Sequence, residues 1–313
     1  RAFDREVAVK VMLPGMDRGA FLREARITGR LPHPGIPPVY ALGEMPDGRP
    51  FLAMKLIRGA TLDNVLKGRA DVSAERGKLL AAFEQMCQAV GYAHAQGIIH
   101  RDLKPANVMV GAFGEVQVMD WGLAKEVGGA DADAPVPDAG GAAENVAATV
   151  AGQVKGTPAY MAPEQARGEP VDARADVFAL GGILAAVLTG KPPFAGNSVL
   201  DTITRAAKAE LGDTFGRLDE CGADAELVAL CKRCLSAVAG ERYADAAAVA
   251  SAVGEYRAAV EERLRRAERE RAAEEAKEGE RRKRRRVQWG LAAAVLLLVA
   301  AGAFGAVVVS LWR

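Results

Sequence analysis

Cysteine is scarce. Four occur in 313 residues, Cys87, Cys221, Cys231 and Cys234, too few for a disulfide scaffold in a chain of this length. Cys231 and Cys234 form a lone C-x-x-C inside LVALCKRCLSA, with no second ligand pair at metal spacing. Two small core residues on one helix are therefore favoured over zinc or redox chemistry. An excess of charge is also missing. Lys and Arg number 41 against 40 Asp and Glu, a net charge of +1, so no global field directs the chain to nucleic acid. Residue 1 is arginine, and Arg313 follows directly on an apolar run. The chain thus reads as cut at both ends, and no N-terminal export signal is visible in it. Half the residues are hydrophobic, sufficient for one large domain or two small ones with a proper core.

Local absences divide the chain. Residues 127–148, VGGADADAPVPDAGGAAENVAA, have almost no large apolar side chain and read as a disordered loop. Residues 255–278 contain neither Gly nor Pro, are dense in Glu and Arg, and read as one long helix. Val253, Tyr256, Val260, Leu264 and Ala267 make a short seam there. It fits a solvated spacer helix, with a homodimer coiled-coil contact as the alternative. Six basic residues follow, RRKRRR at 281–286, and then no charge over the 22 residues from Gly290 to Leu311. As a helix rising ~1.5 Å per residue, that run measures about 33 Å, the thickness of a bilayer core. Trp289 and Trp312 stand at its ends, where indoles prefer the interface. A membrane span over 288–312 is expected, with everything before the basic cluster cytoplasmic and anionic lipid headgroups as partners of 281–286.

The rest is richer in pattern. REVAVKVML (5–13) alternates as a strand with one face deeply buried, and FLAMKLI (51–57) is again strand-like. FLREARITGRL (21–31) predicts a short helix ending before Pro32, and further helices are predicted at 73–95, 176–189, 199–208 and 224–235. A small strand-rich part thus precedes a larger helical one, with the change near Arg58–Gly59.

In IIHRDLKPANVMV (98–110), Asp102, Lys104 and Asn107 fall within six residues, between the apolar pairs Ile98–Ile99 and Val108 with Val110. Pro105 prevents a helix and holds a tight loop. The next stretch reads as a hairpin turning at AFG, which returns Asp120 to the side of Asn107. A carboxylate and an amide oxygen together suit a hard cation such as Mg2+.

HRDLKPAN, DWG, VAVK and APE, in this order and spacing, resemble the motifs of protein kinases over residues 5–255. DLKPAN with GTPAYMAPEQ (156–165) resembles the serine/threonine class, and the whole resembles a bacterial, membrane-anchored, eukaryotic-like serine/threonine kinase with DWG in place of DFG. The resemblance implies an α+β, two-lobed kinase fold: a small β-rich lobe over 1–57 and a helical lobe over 58–255. A charged juxtamembrane helix over 256–286 and the transmembrane helix would follow. It implies ATP with Mg2+ or Mn2+, and protein substrates that include the protein itself. Lys10 would grip the ATP phosphates and pair with Glu24, and Met54, Lys55 and Ile57 would form the adenine-binding hinge. Asp102 would accept the substrate hydroxyl proton, flanked by Arg101 and Lys104. Asn107 and Asp120 would hold the metal. Thr157 would brace Asp102 and Lys104, Glu164 would pair with Arg242, and Asp176 would brace the catalytic-loop backbone. Thr149 would accept an activating phosphate that Arg101 reads.

Two departures stand out. Trp121 replaces the usual phenylalanine and carries an N–H that needs a partner. The glycine-rich loop that covers ATP has no room in the nine residues before Lys10 and is expected upstream. A pseudokinase scaffold is the alternative reading. A small-molecule phosphotransferase is disfavoured by GTPAYMAPEQ, a protein-docking segment.

Overall fold

Strand β1 (Val7–Val11) begins the small lobe. Its side chains alternate as predicted, but the deep burial is absent: Val7 and Val9 are 42% and 51% exposed. That face of the three-stranded antiparallel sheet is left open to solvent at β1, which is also an edge strand. The other face carries Lys10 toward helix α1 (Arg18–Gly29). Asp17 starts α1 by accepting the N–H groups of Gly19 and Ala20, the usual N-cap chemistry. The helix buries Phe21 and Ala25 against Leu52, with Met12, Val39 and Met54 around them. Strands β2 (Val39–Glu44) and β3 (Pro50–Lys55) complete the sheet in the order β1-β3-β2, with Lys10 opposite Leu52. The structure, a computed structural model, describes residues 6–126 and 156–311. The predicted loop at 127–148 and Thr149 lie outside them.

Strand-rich structure gives way where predicted. Gly59 has φ 151°, and a Cβ there would lie 2.2 Å from the carbonyl oxygen of Val110, so the chain crosses between lobes at a point only glycine tolerates. Beyond it, β4 (Ala60–Thr61) already pairs with β6 (Val108–Val110) of the second lobe. Helix α2 (Leu62–Lys67) and the long α3 (Arg76–Ala95) follow. The latter starts three residues later than its pattern suggests, because a turn at 73–76 places Glu75 in the left-handed region. Strand β5 (Ile98–Ile99) pairs with β8 (Lys125–Glu126), and β6 with β7 (Val116–Val118). The predicted hairpin is present: Gly111 and Glu115 close its turn.

The remaining helices span Pro163–Ala166, Ala173–Thr189, Val199–Ala207, Gly212–Glu220, Ala225–Cys234 and Ala246–Leu311. The Ala173–Thr189 helix is apolar all round and buried almost throughout, the pattern of a core helix. Cys87, Cys231 and Cys234 are fully buried and free. Burial pushes the Cys234 thiol up to about 12 and the other two well above their usual value, as for inert core thiols.

The chain divides into two compact units, 1–256 and 257–313. The first turns of the last helix bury Ala246, Val249, Val253 and Tyr256, and the Tyr256 hydroxyl donates to Asp224 at 2.8 Å. Two members of the predicted seam are therefore spent inside the first unit, while Leu264 is exposed. In the second unit the helix carries i,i+4 pairs such as Arg265 with Glu261 and Arg266 with Glu270, which suit a solvated helix. Among the described residues no helix is long and apolar enough to cross a membrane. The side chains over most of 297–313, within the expected span, lie outside the described residues.

Candidate active site

A short turn over Pro105–Asn107 brings the polar residues of the loop onto one carboxylate. Asp102 Oδ1 accepts from the Thr157 N–H at 2.8 Å and the Thr157 hydroxyl at 3.0 Å. Oδ2 accepts from Lys104 Nζ at 2.8 Å and Asn107 Nδ2 at 3.1 Å. An ionised carboxylate has about four acceptor positions, and all four are engaged. Lys104 Nζ also donates to Thr157 Oγ1 at 2.6 Å, so Asp102, Lys104 and Thr157 close a triangle.

The hairpin carries the chain back. Met119 donates its N–H to the Asn107 carbonyl at 2.8 Å, and Asp120 is the next residue after Met119. Asp120 has φ 61°, and its Oδ1 lies 3.7 Å from Lys10 Nζ. Lys10 Nζ is held at 2.6 and 2.8 Å by the two oxygens of Glu24. Lys10 and Asp120 stay open to solvent, at 38% and 52% side-chain exposure, while Glu24 is largely covered.

The donor set fits a hard divalent cation. With its NH2 group committed to Asp102, Asn107 has its amide oxygen left to offer, beside the Asp120 carboxylate. No cluster of three or more His, Cys, Asp or Glu side chains occurs among the described residues.

Behind the loop lies a buried brace. Asp176 Oδ2 accepts the His100 N–H at 2.7 Å and Oδ1 the Arg101 N–H at 2.9 Å. Its third donor, His94 Nε2 at 2.9 Å, has no counterpart in the sequence reading. His94 Nδ1 accepts the Ala246 N–H, which fixes the proton on Nε2 and makes the imidazole a neutral donor. Burial alone would raise the Asp176 carboxyl, but the N–H groups of His94 and His100 hold it below its usual value. The signal for His94 is a lone histidine in the last turn of α3, easily taken for surface although its side chain is covered. Arg242 and Glu164 form a bidentate pair at 2.6 and 2.8 Å, with the arginine side chain fully buried.

Trp121 is buried, and its Nε1–H donates to the Val118 carbonyl at 3.1 Å. Its ring lies 4.6 Å from that of His100, whose Nε2 faces the Met119 carbonyl at 3.0 Å. The larger ring thus has both its partner and its space. Of the hinge residues, Met54 and Lys55 end β3 and Ile57 lies beyond it. The Lys55 N–H is already given to the Pro38 carbonyl.

Residues 1–253 match the protein kinase domain. The chain belongs to the protein kinase family. It is similar to the serine/threonine-protein kinase PknB of Mycobacterium tuberculosis, with 36% identity over 234 residues, 72% of this chain and 35% of that protein. It also resembles the DNA damage-responsive serine/threonine-protein kinase RqkA of Deinococcus radiodurans, with 42% identity over 62% of this chain and 27% of that protein. The serine/threonine-protein kinase PknD of Protochlamydia amoebophila is 31% identical over 77% of this chain and 26% of its own length. The chain thus spans between about a quarter and about a third of the length of these kinases.

Proposed function

We propose that this kinase-family chain transfers the γ-phosphoryl group of ATP to serine or threonine hydroxyls of proteins, itself included. The observation that carries the reading is the saturated Asp102 carboxylate, held by Lys104, Asn107 and Thr157 between an Asp120–Lys10–Glu24 set and the Asp176 brace. Asp102 orients the incoming hydroxyl and accepts its proton. Because its acceptor positions are full, the substrate hydroxyl displaces one donor, and the rotatable Thr157 hydroxyl is the one that yields most easily. Lys10, aligned by Glu24, binds the nucleotide phosphates. Asn107 and Asp120 would hold Mg2+ or Mn2+, which when bound neutralises charge on the transferred phosphoryl group. With the Lys55 N–H given to Pro38, the N–H that meets adenine comes from the backbone beyond β3, at Ile57.

The test is phosphoryl transfer by the full-length protein. Asp102→Asn should lower turnover on the order of 10²- to 10⁴-fold with nucleotide binding retained, while Asp120→Asn should weaken Mg2+-dependent nucleotide binding as well. Wild-type turnover in Asp102→Asn would remove the assignment, and an inactive wild type that still binds partners would favour a scaffold.

The membrane reading belongs to the same proposal: a single-pass protein of the inner membrane with its kinase lobes cytoplasmic. It rests on the uncharged 290–311 run behind RRKRRR. Backbone helix continues to Leu311, and Trp289, Leu291, Val295 and Leu296 are all uncovered. Tags at either end, tested for protease protection in sealed vesicles, should differ; equal accessibility would refute the span.

Thr149 is proposed as the regulatory phosphate site. Between Asp120 and Glu164 the only other hydroxyls are Thr157 and Tyr160. The first is committed to Lys104 and Asp102. The second is half-buried, and its loss of solvent pushes its pKa up. Phosphopeptide mapping after incubation with Mg2+ and ATP decides it: full activity with Thr149 unmodified excludes the switch.

A further inference from the structure

Arg101 has φ 65°, a left-handed conformation that a non-glycine residue keeps only where its surroundings over-determine it. Three contacts do so. Its N–H is bound by Asp176 at 2.9 Å. Its Nε donates to the Leu123 carbonyl at 2.7 Å, three residues after Asp120. Its carbonyl accepts from Gln165 Nε2 at 2.7 Å. Asp176 already has a role in the reading above; Gln165 has none.

Gln165 is well placed to act on Arg101. It follows Glu164, whose carboxylate is locked by Arg242, so its backbone is anchored in the core. Gly156 closes over the same bond from the other side. It has φ 123°, and a Cβ there would meet Gln165 Nε2 at 3.2 Å and the Arg101 carbonyl at 3.3 Å. The next residue, Thr157, donates to Asp102. The carbonyl that Gln165 holds belongs to the peptide linking Arg101 to Asp102, so a rotation of that peptide re-aims the Asp102 carboxylate. Arg101 is thereby tied to both ends of the segment between Asp120 and Glu164, through Leu123 at one end and Gln165 at the other.

We propose that Gln165 is a positioning residue: its amide N–H holds the Arg101 carbonyl, keeps the peptide before Asp102 in its left-handed turn and so aims the Asp102 carboxylate. The inference rests on the kinase reading of this site.

Two substitutions in the full-length protein test it. Gln165→Glu keeps the size of the side chain but replaces the donor with an acceptor. Gln165→Lys restores a donor of similar reach. Two readouts are taken: steady-state phosphoryl transfer, and hydrogen–deuterium exchange over residues 100–104. Gln165→Glu should lower kcat by about 10- to 100-fold, the scale of a small misplacement of reacting groups, with the KM for ATP unchanged and exchange over 100–104 faster. Gln165→Lys should recover most of both. Wild-type kcat and exchange in Gln165→Glu overturn the proposal, as does a Gln165→Lys variant as impaired as Gln165→Glu, since that pattern belongs to packing alone. Should the wild-type protein transfer no phosphate, the kinase reading fails and the exchange comparison still decides the clamp: unchanged exchange in Gln165→Glu overturns it.

Discussion

In the small lobe, a three-stranded sheet and helix α1 share a core cluster of Phe21, Ala25 and Leu52. In the large lobe a single helix, Ala173–Thr189, buries fourteen of its seventeen residues. Two ion pairs share an N···O distance of 2.6 Å, Lys10 with Glu24 in the small lobe and Arg242 with Glu164 in the large one. The geometry is alike and the setting is not: the lysine is 38% exposed and the arginine side chain 0%. Distance therefore says little about what a pair contributes. Lys10 and Asp120 sit where solvent still reaches them, and Arg242 sits where it does not.

Arg242→Ala tests this difference most severely. Leaving Glu164 buried without its partner should cost about 3–5 kcal/mol, read by chemical denaturation of the full-length protein. A loss under about 1 kcal/mol, the scale of an exposed pair, would erase the contrast between the lobes. Acid should act on the same lobe. The folded pKa of Asp176 is depressed, so its stabilisation is complete above the unfolded value of about 3.9 and is lost as pH falls through the lower folded value. Denaturation midpoints should therefore decline below about pH 4, less steeply in Asp176→Asn; equal slopes would show that other carboxylates carry the decline. Trp121→Phe removes the Nε1–H bond to Val118 and should cost about 1 kcal/mol, measured the same way, leaving Val118 to other partners. A neutral result would make the indole N–H incidental. The smallest stability change is expected for Lys10→Met, under about 1 kcal/mol, even though phosphoryl transfer should fall steeply. A large loss of stability there would mean that the small lobe depends on its exposed pair as the large lobe depends on its buried one.

Much of this was legible before any coordinates. The hairpin between Asn107 and Asp120 followed from two short apolar runs around AFG, and helix α1 from an apolar period that stops before Pro32, because both are consequences of local pattern. The deep burial expected for β1 was not found. Alternation shows that two faces differ, but it cannot show whether another layer covers either of them. Val253 and Tyr256 fit the seam of a solvated spacer helix, with a dimer contact as the alternative, and are instead packed within the first unit, since a short 3–4 spacing fits any apolar partner.

The sequence by itself determined the kinase family, the order of its motifs and the residue types gathered around Asp102, because motif spacing and short-range turns are properties of the chain. Tertiary structure alone decided that His94 joins the Ala246 N–H to Asp176, that Trp121 finds the Val118 carbonyl and that Gln165 reaches Arg101 across 64 positions of sequence. Each of these is a single polar contact made across the fold. A side-chain donor has no periodicity to mark it, and its partner is selected only when distant segments are packed closely enough to exclude water.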